Sequence, residues 1–440
     1  MNPLFFVFGI FALLGSSHCD NDTDHSPQQV HLSYTGQLDS MFVTWATLTD
    51  VEGNGSVTFW ASSGGENSSV TVDASKTKLS HEKDDGAYRY TWIFRATMQP
   101  LEPDTVYEYS VQSGDRKSDS FTFKTFSDSD SFKPKFAIYG DFGIENHVSM
   151  FKLIQYLNAS EYQMVLHIGD FAYDMNEKNG VQGDVFMDMI QPVASRVPYN
   201  VAVGNHEEFN NFTEYSGRFT SPGPSVFYNS FDVGPIHFVL FSSEFYFYTN
   251  YGLGQLQAQY NWLVDDLAKA NTEQARNEHP WIVAMAHRPM YCSSHDGDDC
   301  TKHDSIMRTG YEHELYKLED LFFKNGVDLQ FYAHEHDYER LYPIYDYAYQ
   351  KVKNASVYMD TRYPVHVVTG AAGCREDHDP FTIPKPKWSF FRSNNYGFTL
   401  MGVEDKLTLK IRQFSVVKDE IIDEFMISKS DVFPNFDWDH

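Results

Sequence analysis

Short runs of alternating apolar and polar residues, separated by turn residues, fill the chain from about Val30 to Phe126. Val30 to Tyr34, Phe42 to Trp45, Val57 to Trp60, Tyr90 to Phe94, Tyr107 to Val111 and Phe121 to Phe123 each show the period of two expected of half-buried strands. Regular spacing of such strands predicts a β-sandwich. Ser127 to Ser131, alternating Ser and Asp, reads as a flexible linker. After Pro134 the pattern changes. Apolar runs at Lys135 to Tyr139, Met164 to Ile168, Tyr199 to Val203, Trp281 to Ala286 and Val327 to Tyr332 alternate with helical periodicity at Val148 to Leu157, Leu256 to Leu267 and Glu314 to Lys324. This alternation predicts a layered α/β domain, and the segment Gly397 to Ser428 returns to hairpins, with Leu407, Leu409 and Ile411 on one face.

The first residues, MNPLFFVFGIFALLGSSHC, carry an apolar run from Leu4 to Leu14 followed by small residues. Eleven residues are too few to span a bilayer, so residues 1–19 are expected to be a cleaved secretory signal. The pattern therefore predicts a signal at 1–19, a β-sandwich at 28–126 and an α/β domain at 134–430. Leu101, Pro103, Thr105 and Tyr107 stand at the spacing of a tyrosine corner, and the sandwich resembles a fibronectin type III domain.

The chain has 440 residues, with 34 Lys+Arg against 61 Asp+Glu and a formal net charge of −27. Such a balance repels nucleic acid and anionic membranes, both of which are bound through cationic side chains. With 42% hydrophobic and 16% aromatic residues, a disordered chain is excluded. Six N-x-S/T sequons, at Asn21, Asn54, Asn67, Asn158, Asn211 and Asn354, fit a secretory glycoprotein, secreted or lysosomal. Of the four cysteines, Cys292 and Cys300 lie eight apart in a polar loop and are expected to form a local disulfide, leaving Cys374 as a free or buried thiol.

Five apolar runs end in residue types that bind metals. FAIYGDFG supplies Asp141, VLHIGDFAY supplies Asp170 and Tyr173, and YNVAVGNHEE supplies Asn205 and His206. WIVAMAHRP supplies His287, and LQFYAHEHDYER supplies His334 and His336. In open α/β sheets ligands gather beyond the C-terminal edges of strands, so these five ends are expected to converge. Two Asp, one Tyr, one Asn and three His (Asp141, Asp170, Tyr173, Asn205, His287, His334 and His336) exceed one tetrahedral ion and suit two metals sharing a carboxylate. The Gly before each Asp and Asn is expected to make the sharp turn, and His334 and His336, two apart, are expected to face different ions.

This series resembles the metallophosphoesterases, and within them the purple acid phosphatases, whose blocks read GDxG, GDxxY, GNHE, VxxH and GHxH. Here they stand as Gly140 to Gly143, Gly169 to Tyr173, Gly204 to Glu207, Val283 to His287 (one residue longer) and Ala333 to His336, with Ala in place of Gly. The family's larger members also carry a fibronectin-like domain before the catalytic one, so the resemblance covers nearly the whole chain. It implies Fe(III) held by Asp141, Asp170, Tyr173 as phenolate and His336, with Asp170 bridging to a divalent Zn, Fe or Mn on Asn205, His287 and His334. It implies an acid phosphatase that hydrolyses small-molecule phosphomonoesters by a metal-bound hydroxide, with His206 contacting phosphate and protonating the leaving oxygen. His295 is a second candidate for that acid. The family pattern has a pair of histidines near there, whereas this chain has one, followed by Asp296. The alternatives are a phosphodiesterase or nucleotide hydrolase on the same centre, and a non-catalytic metal- or phosphate-binding protein.

Overall fold

The computed structural model describes residues 25–83, 86–294, 297–352, 354, 356–382 and 384–433; the signal segment 1–19 and His295 lie outside them. The N-terminal strands form two facing sheets. One has the order Gln28–Tyr34, Met41–Thr47, Tyr88–Met98, Ser75–Glu82; the other runs Val70–Asp73, Gly55–Ala61, Val106–Ser113, Arg116–Lys117, with Phe121–Lys124 also paired to Val106–Ser113. The tyrosine corner is present: the Glu102 N–H donates to Tyr107 Oη at 2.8 Å. The strands at 70–73 and 75–82 escape a pattern reading because most of their side chains are exposed.

Two seven-stranded sheets stack in the catalytic region. The first has the order Tyr199–Ala202, Met164–Ile168, Lys135–Tyr139, Gly397–Asp405, Thr408–Ser415, Glu420–Ser428, Val357–Met359. The second runs Asn229–Val233, Ile236–Leu240, Trp281–Met285, Leu329–Tyr332, Val365–Thr369, Tyr338–Leu341, Ser389–Ser393. Period two sorts the side chains between layers. Phe136 and Ile138 pack inward with Phe238, Val283 and Met285, while Ala137 and Tyr139 pack outward with Leu153, Phe186 and Ile190 under the helices. The rings of Phe136 and Phe238 meet across the sheets at 4.9 Å. Strands buried on both faces explain the near-continuous apolar runs.

Helices Met150–Asn158, Val181–Ala194 and Phe209–Arg218 follow strands of the first sheet, and Gly254–Ala270 and Leu318–Lys324 adjoin the second. The helix expected from Glu314 begins only at Leu318. Its buried stripe starts there, with Leu318, Leu321 and Phe322, whereas Glu314 is exposed and Glu312, His313 and Tyr316 take positive φ.

The sandwich docks on the catalytic region through its first strand, where Leu32 bridges Pro198 in parallel and the Tyr34 N–H donates to Asn200 Oδ1 at 3.0 Å. Charges cross the same seam. His81 meets Glu214 at 2.6 Å and Arg89 pairs with Asp184, which on its own side of the seam also meets Arg218 at 2.7 Å. Asp188 lies one turn on. Burial, then the Asp184 carboxylate, push its carboxyl from the ordinary 3.8 up to about 7. An acid whose folded pKa is raised holds a proton that the unfolded chain has released, so its cost to the fold grows as pH rises from about 4 to 7 and is complete above 7. Asp188→Asn is therefore expected to stabilise the protein by about 2 kcal/mol at pH 8 and by little at pH 4. Denaturant melts at both values check this, and equal gains at both would rule out the carboxyl as the cause.

Candidate metal centre

In-register parallel pairing places the candidate residues together. Tyr139 pairs with His167 and Ile168 with Ala202, so Asp141, Asp170 and Asn205 leave one edge of the first sheet side by side. Met285 pairs with Phe331 in the second sheet, which delivers His287 and His334 to the facing edge. The expected glycine turns are only partly seen. Gly169 has φ 95°, but elsewhere the left-handed conformation falls on the functional residues themselves: Asp141 (57°), Asp170 (55°), Tyr173 (53°) and His334 (70°). Such strain in non-glycine residues concentrates at functional sites. Gly140 serves close approach instead, because a Cβ there would collide with the Ala333 methyl. Ala333 itself needs no positive φ, which is why Ala is tolerated at that place in the fifth block.

Two groups of donors result. In one, Tyr173 Oη lies 2.9 Å from His336 Nε2 and 3.3 Å from Asp141 Oδ1, and His336 Nε2 lies 3.4 Å from the same oxygen. In the other, His287 Nε2 lies 3.0 Å from Asn205 Oδ1, 3.2 Å from His334 Nδ1 and 3.2 Å from Asp170 Oδ2. One ligand atom each from Asp170, His287 and His334 falls within a sphere of mutual distances under 4.8 Å. Outer contacts fix the rings. His287 Nδ1 donates to the Ile168 carbonyl and His336 Nδ1 to that of Asp377, each at 2.9 Å, so both Nε2 lone pairs face the crevice. Two carboxylates, an amide oxygen, a phenol oxygen and three imidazoles converging in two groups suit cations, and the set fits two.

The electrostatics separate these histidines from those of the core. Burial, helped by His287 near His167 and by Arg308 near His366, pushes these two imidazoles down to about 3. Burial also opposes charge on His287, yet Asp170 and Asp141 lift it to about 9. Asp170 in turn, despite its burial, is held well below the carboxylate range by His287 and His206. Burial, then Asp141 and Asp170, push the Tyr173 phenol far above 10, so a strongly polarising cation is needed to ionise it.

His206 lies at the mouth. Its N–H donates to Asp170 Oδ1 at 3.0 Å, and its ring packs at 4.4 Å from that of Tyr173. Nδ1 meets Asp174 at 3.0 Å, and Nε2 lies 3.6 Å from Glu376. Burial opposes a charge there, but Asp170 and Asp174 carry the imidazole up to about 10.

Three participants are not apparent from the sequence. Glu207 accepts N–H bonds from Asp170 (3.0 Å), Phe171 (2.9 Å) and Gly204 (2.9 Å), tying two ligand turns together; its place in the third block was a usable signal. Asp174 immediately follows Tyr173. Glu376 lies 170 positions from His206 and carries no local signal. Cys292 and Cys300 form the expected disulfide, and Cys374 is a buried free thiol 3.3 Å from His336 Nδ1.

Two seven-stranded sheets stacked between helices, with carboxylate, amide, phenol and imidazole groups gathered at one edge, define a metallophosphoesterase. Residues 134–338 match the calcineurin-like phosphoesterases, residues 27–125 the purple acid phosphatase N-terminal domain, and residues 363–424 the iron/zinc purple acid phosphatase-like C-terminal region. The chain belongs to the purple acid phosphatase family. It is 43% identical over 396 residues to acid phosphatase type 7 of Danio rerio, covering 88% of each chain. Against acid phosphatase type 7 of Homo sapiens it is 40% identical over 427 residues, covering 96% of this chain and 94% of that one. A purple acid phosphatase from yellow lupin (Lupinus luteus) seeds shares the fold, with a TM-score of 0.76 at 23% identity over 92% of this chain and 74% of that one. Family membership implies a dinuclear centre containing iron, and a small-molecule phosphoester as substrate.

Proposed function

We propose that this protein is an acid phosphatase releasing orthophosphate from phosphomonoesters, with Fe(III) on Asp141, Asp170, Tyr173 and His336 and a divalent Zn, Fe or Mn on Asp170, Asn205, His287 and His334. The observation that carries this reading is the meeting of Tyr173 Oη, Asp141 and His336 beside the Asp170, His287 and His334 cluster. A hard trivalent ion favours phenolate and carboxylate oxygen, and a divalent one suits imidazole. When bound, such a pair supplies Lewis acidity toward the phosphoryl group and lowers the pKa of water. His206, holding its proton beside Asp174, binds phosphate and protonates the leaving oxygen. His295 is a second candidate for that role from its sequence position alone.

The Cys292–Cys300 disulfide and exposed sequons at Asn54, Asn67, Asn158 and Asn354 support a secretory or lysosomal setting. No helix among the described residues is long and apolar enough to cross a membrane. The net charge of −27 disfavours nucleic acid as partner.

Colour tests the assignment. A phenolate on Fe(III) gives a charge-transfer band, so the iron-loaded protein is expected to be violet to pink and to hydrolyse a chromogenic monoester in preference to the matching diester. Tyr173→Phe keeps the packed ring and is expected to lose the band. An iron-loaded wild type without the band, or an unchanged band in the variant, rules out Tyr173 as a ligand.

A further inference from the structure

His334 differs from the other two histidines of the centre in what holds its outer nitrogen. His287 and His336 each donate to a main-chain carbonyl, of Ile168 and Asp377. His334 turns Nδ1 toward His287 and Asp170, and its Nε2 meets a side-chain carboxylate, Oδ2 of Asp298. A neutral imidazole has one proton. Arg288 Nη1 also approaches Nε2, at 2.8 Å, so with a cation on the Nδ1 lone pair the ring would carry its proton at Nε2 and give it to the Asp298 carboxylate, with the guanidinium turned to the same carboxylate. Arg288, next in sequence to His287, donates from Nη1 to the same Asp298 oxygen at 3.0 Å and from Nε to Glu244 at 2.9 Å. Asp298 is thus oriented by a guanidinium that is itself fixed by a second carboxylate.

The loop bearing Asp298 is clamped at several points. Cys292 and Cys300 close it covalently. The Asp298 side chain caps the turn Asp299–Thr301 by accepting the Asp299 N–H at 2.6 Å. Ser294 Oγ donates to Glu335 Oε2 at 2.5 Å, between the two ligand histidines, and the Ser293 N–H donates to Glu339 at 2.7 Å.

We propose that Asp298, held by Arg288 beside the Cys292–Cys300 disulfide, is a positioning residue for His334 and sets the affinity of the divalent half of the centre without touching the iron half. The proposal rests on the metal assignment given above. A carboxylate behind a histidine ligand fixes its tautomer and raises its basicity, and loss of such a partner typically costs 10- to 100-fold in metal affinity.

The test uses full-length protein and zinc as the probe at the divalent site. Zinc affinity is measured by chelator competition, and the iron site is followed by iron content and the visible band. Asp298→Ala is expected to weaken zinc binding about 10- to 100-fold with iron and colour unchanged. Asp298→Glu should recover most of that loss, and Cys292→Ser with Cys300→Ser should fall between the two. Wild-type zinc affinity in Asp298→Ala overturns the proposal. So does loss of iron in step with zinc, since that marks collapse of the loop. A wild type that binds neither metal overturns the parent assignment and this one with it.

Discussion

Asp170→Ala is expected to abolish phosphomonoester hydrolysis and to strip metal from both halves of the centre. The side chain leaves the strand Met164–Ile168 in a left-handed turn, with Oδ2 3.2 Å from His287 Nε2 and Oδ1 accepting the His206 N–H at 3.0 Å. It thus joins the imidazole cluster to His206 at the mouth of the crevice. Removing a shared anion leaves each cation one donor short and brings two positive charges together without a screen. A loss of at least about 10³-fold in kcat/KM follows, equivalent to about 4 kcal/mol of transition-state stabilisation. Asp170→Asn keeps the bond to the His206 N–H but not the charge, so it separates the two roles. Metal analysis beside the rate decides the matter: turnover within tenfold of wild type, with two metals retained, would exclude a bridging role.

His206→Ala is expected to do the reverse, keeping both metals while lowering kcat about 10²- to 10³-fold, in the range for loss of a general acid. The imidazole holds its proton because Asp170 and Asp174 outweigh its burial. Nε2 lies away from the Asp174 contact, 3.6 Å from Glu376 and 3.9 Å from Asp170, and is the nitrogen positioned to reach a leaving oxygen. The size of the defect should depend on the leaving group. A nitrophenolate departs without help, whereas an alkoxide needs the proton, so the variant should lose more against an alkyl phosphate than against the chromogenic ester. Equal losses on the two substrates would identify His206 as a phosphate contact alone.

The convergence of the candidate residues was legible because each follows a short apolar strand, and parallel strands in register bring such ends together whatever lies between them. What the sequence left hidden was the source of each sharp turn. Pattern reasoning assigns positive φ to glycine, yet Asp141, Asp170 and His334 take it, held there by hydrogen bonds that form only in the folded chain. Glu376 and Asp298 were hidden for a related reason: both lie on loops, where no periodicity marks a side chain as inward. Strands 70–73 and 75–82 lacked a buried alternating face, and the helix Val181–Ala194 mixes Gln182, Gly183 and Asp184 into its buried surface. In the sandwich, by contrast, the tyrosine corner was readable from four residues because its hydrogen bond is local.

The seam between the sandwich and the catalytic region has a bearing on how these enzymes can be cut or recombined. The helix Phe209–Arg218 begins two residues after the Asn205–Glu207 turn of the candidate centre and ends on Arg218, which meets Asp184 while Glu214 holds His81 of the sandwich. A protease that opens the Ser127–Ser131 connection would therefore yield a nicked pair that stays associated, not two free fragments. A chimera joined at that connection would inherit Glu214 and Asp184 without His81 and Arg89, leaving both buried carboxylates to share Arg218 where each also had a partner across the seam. Exchange of the N-terminal part between relatives should succeed only when the facing ends of both helices travel with it.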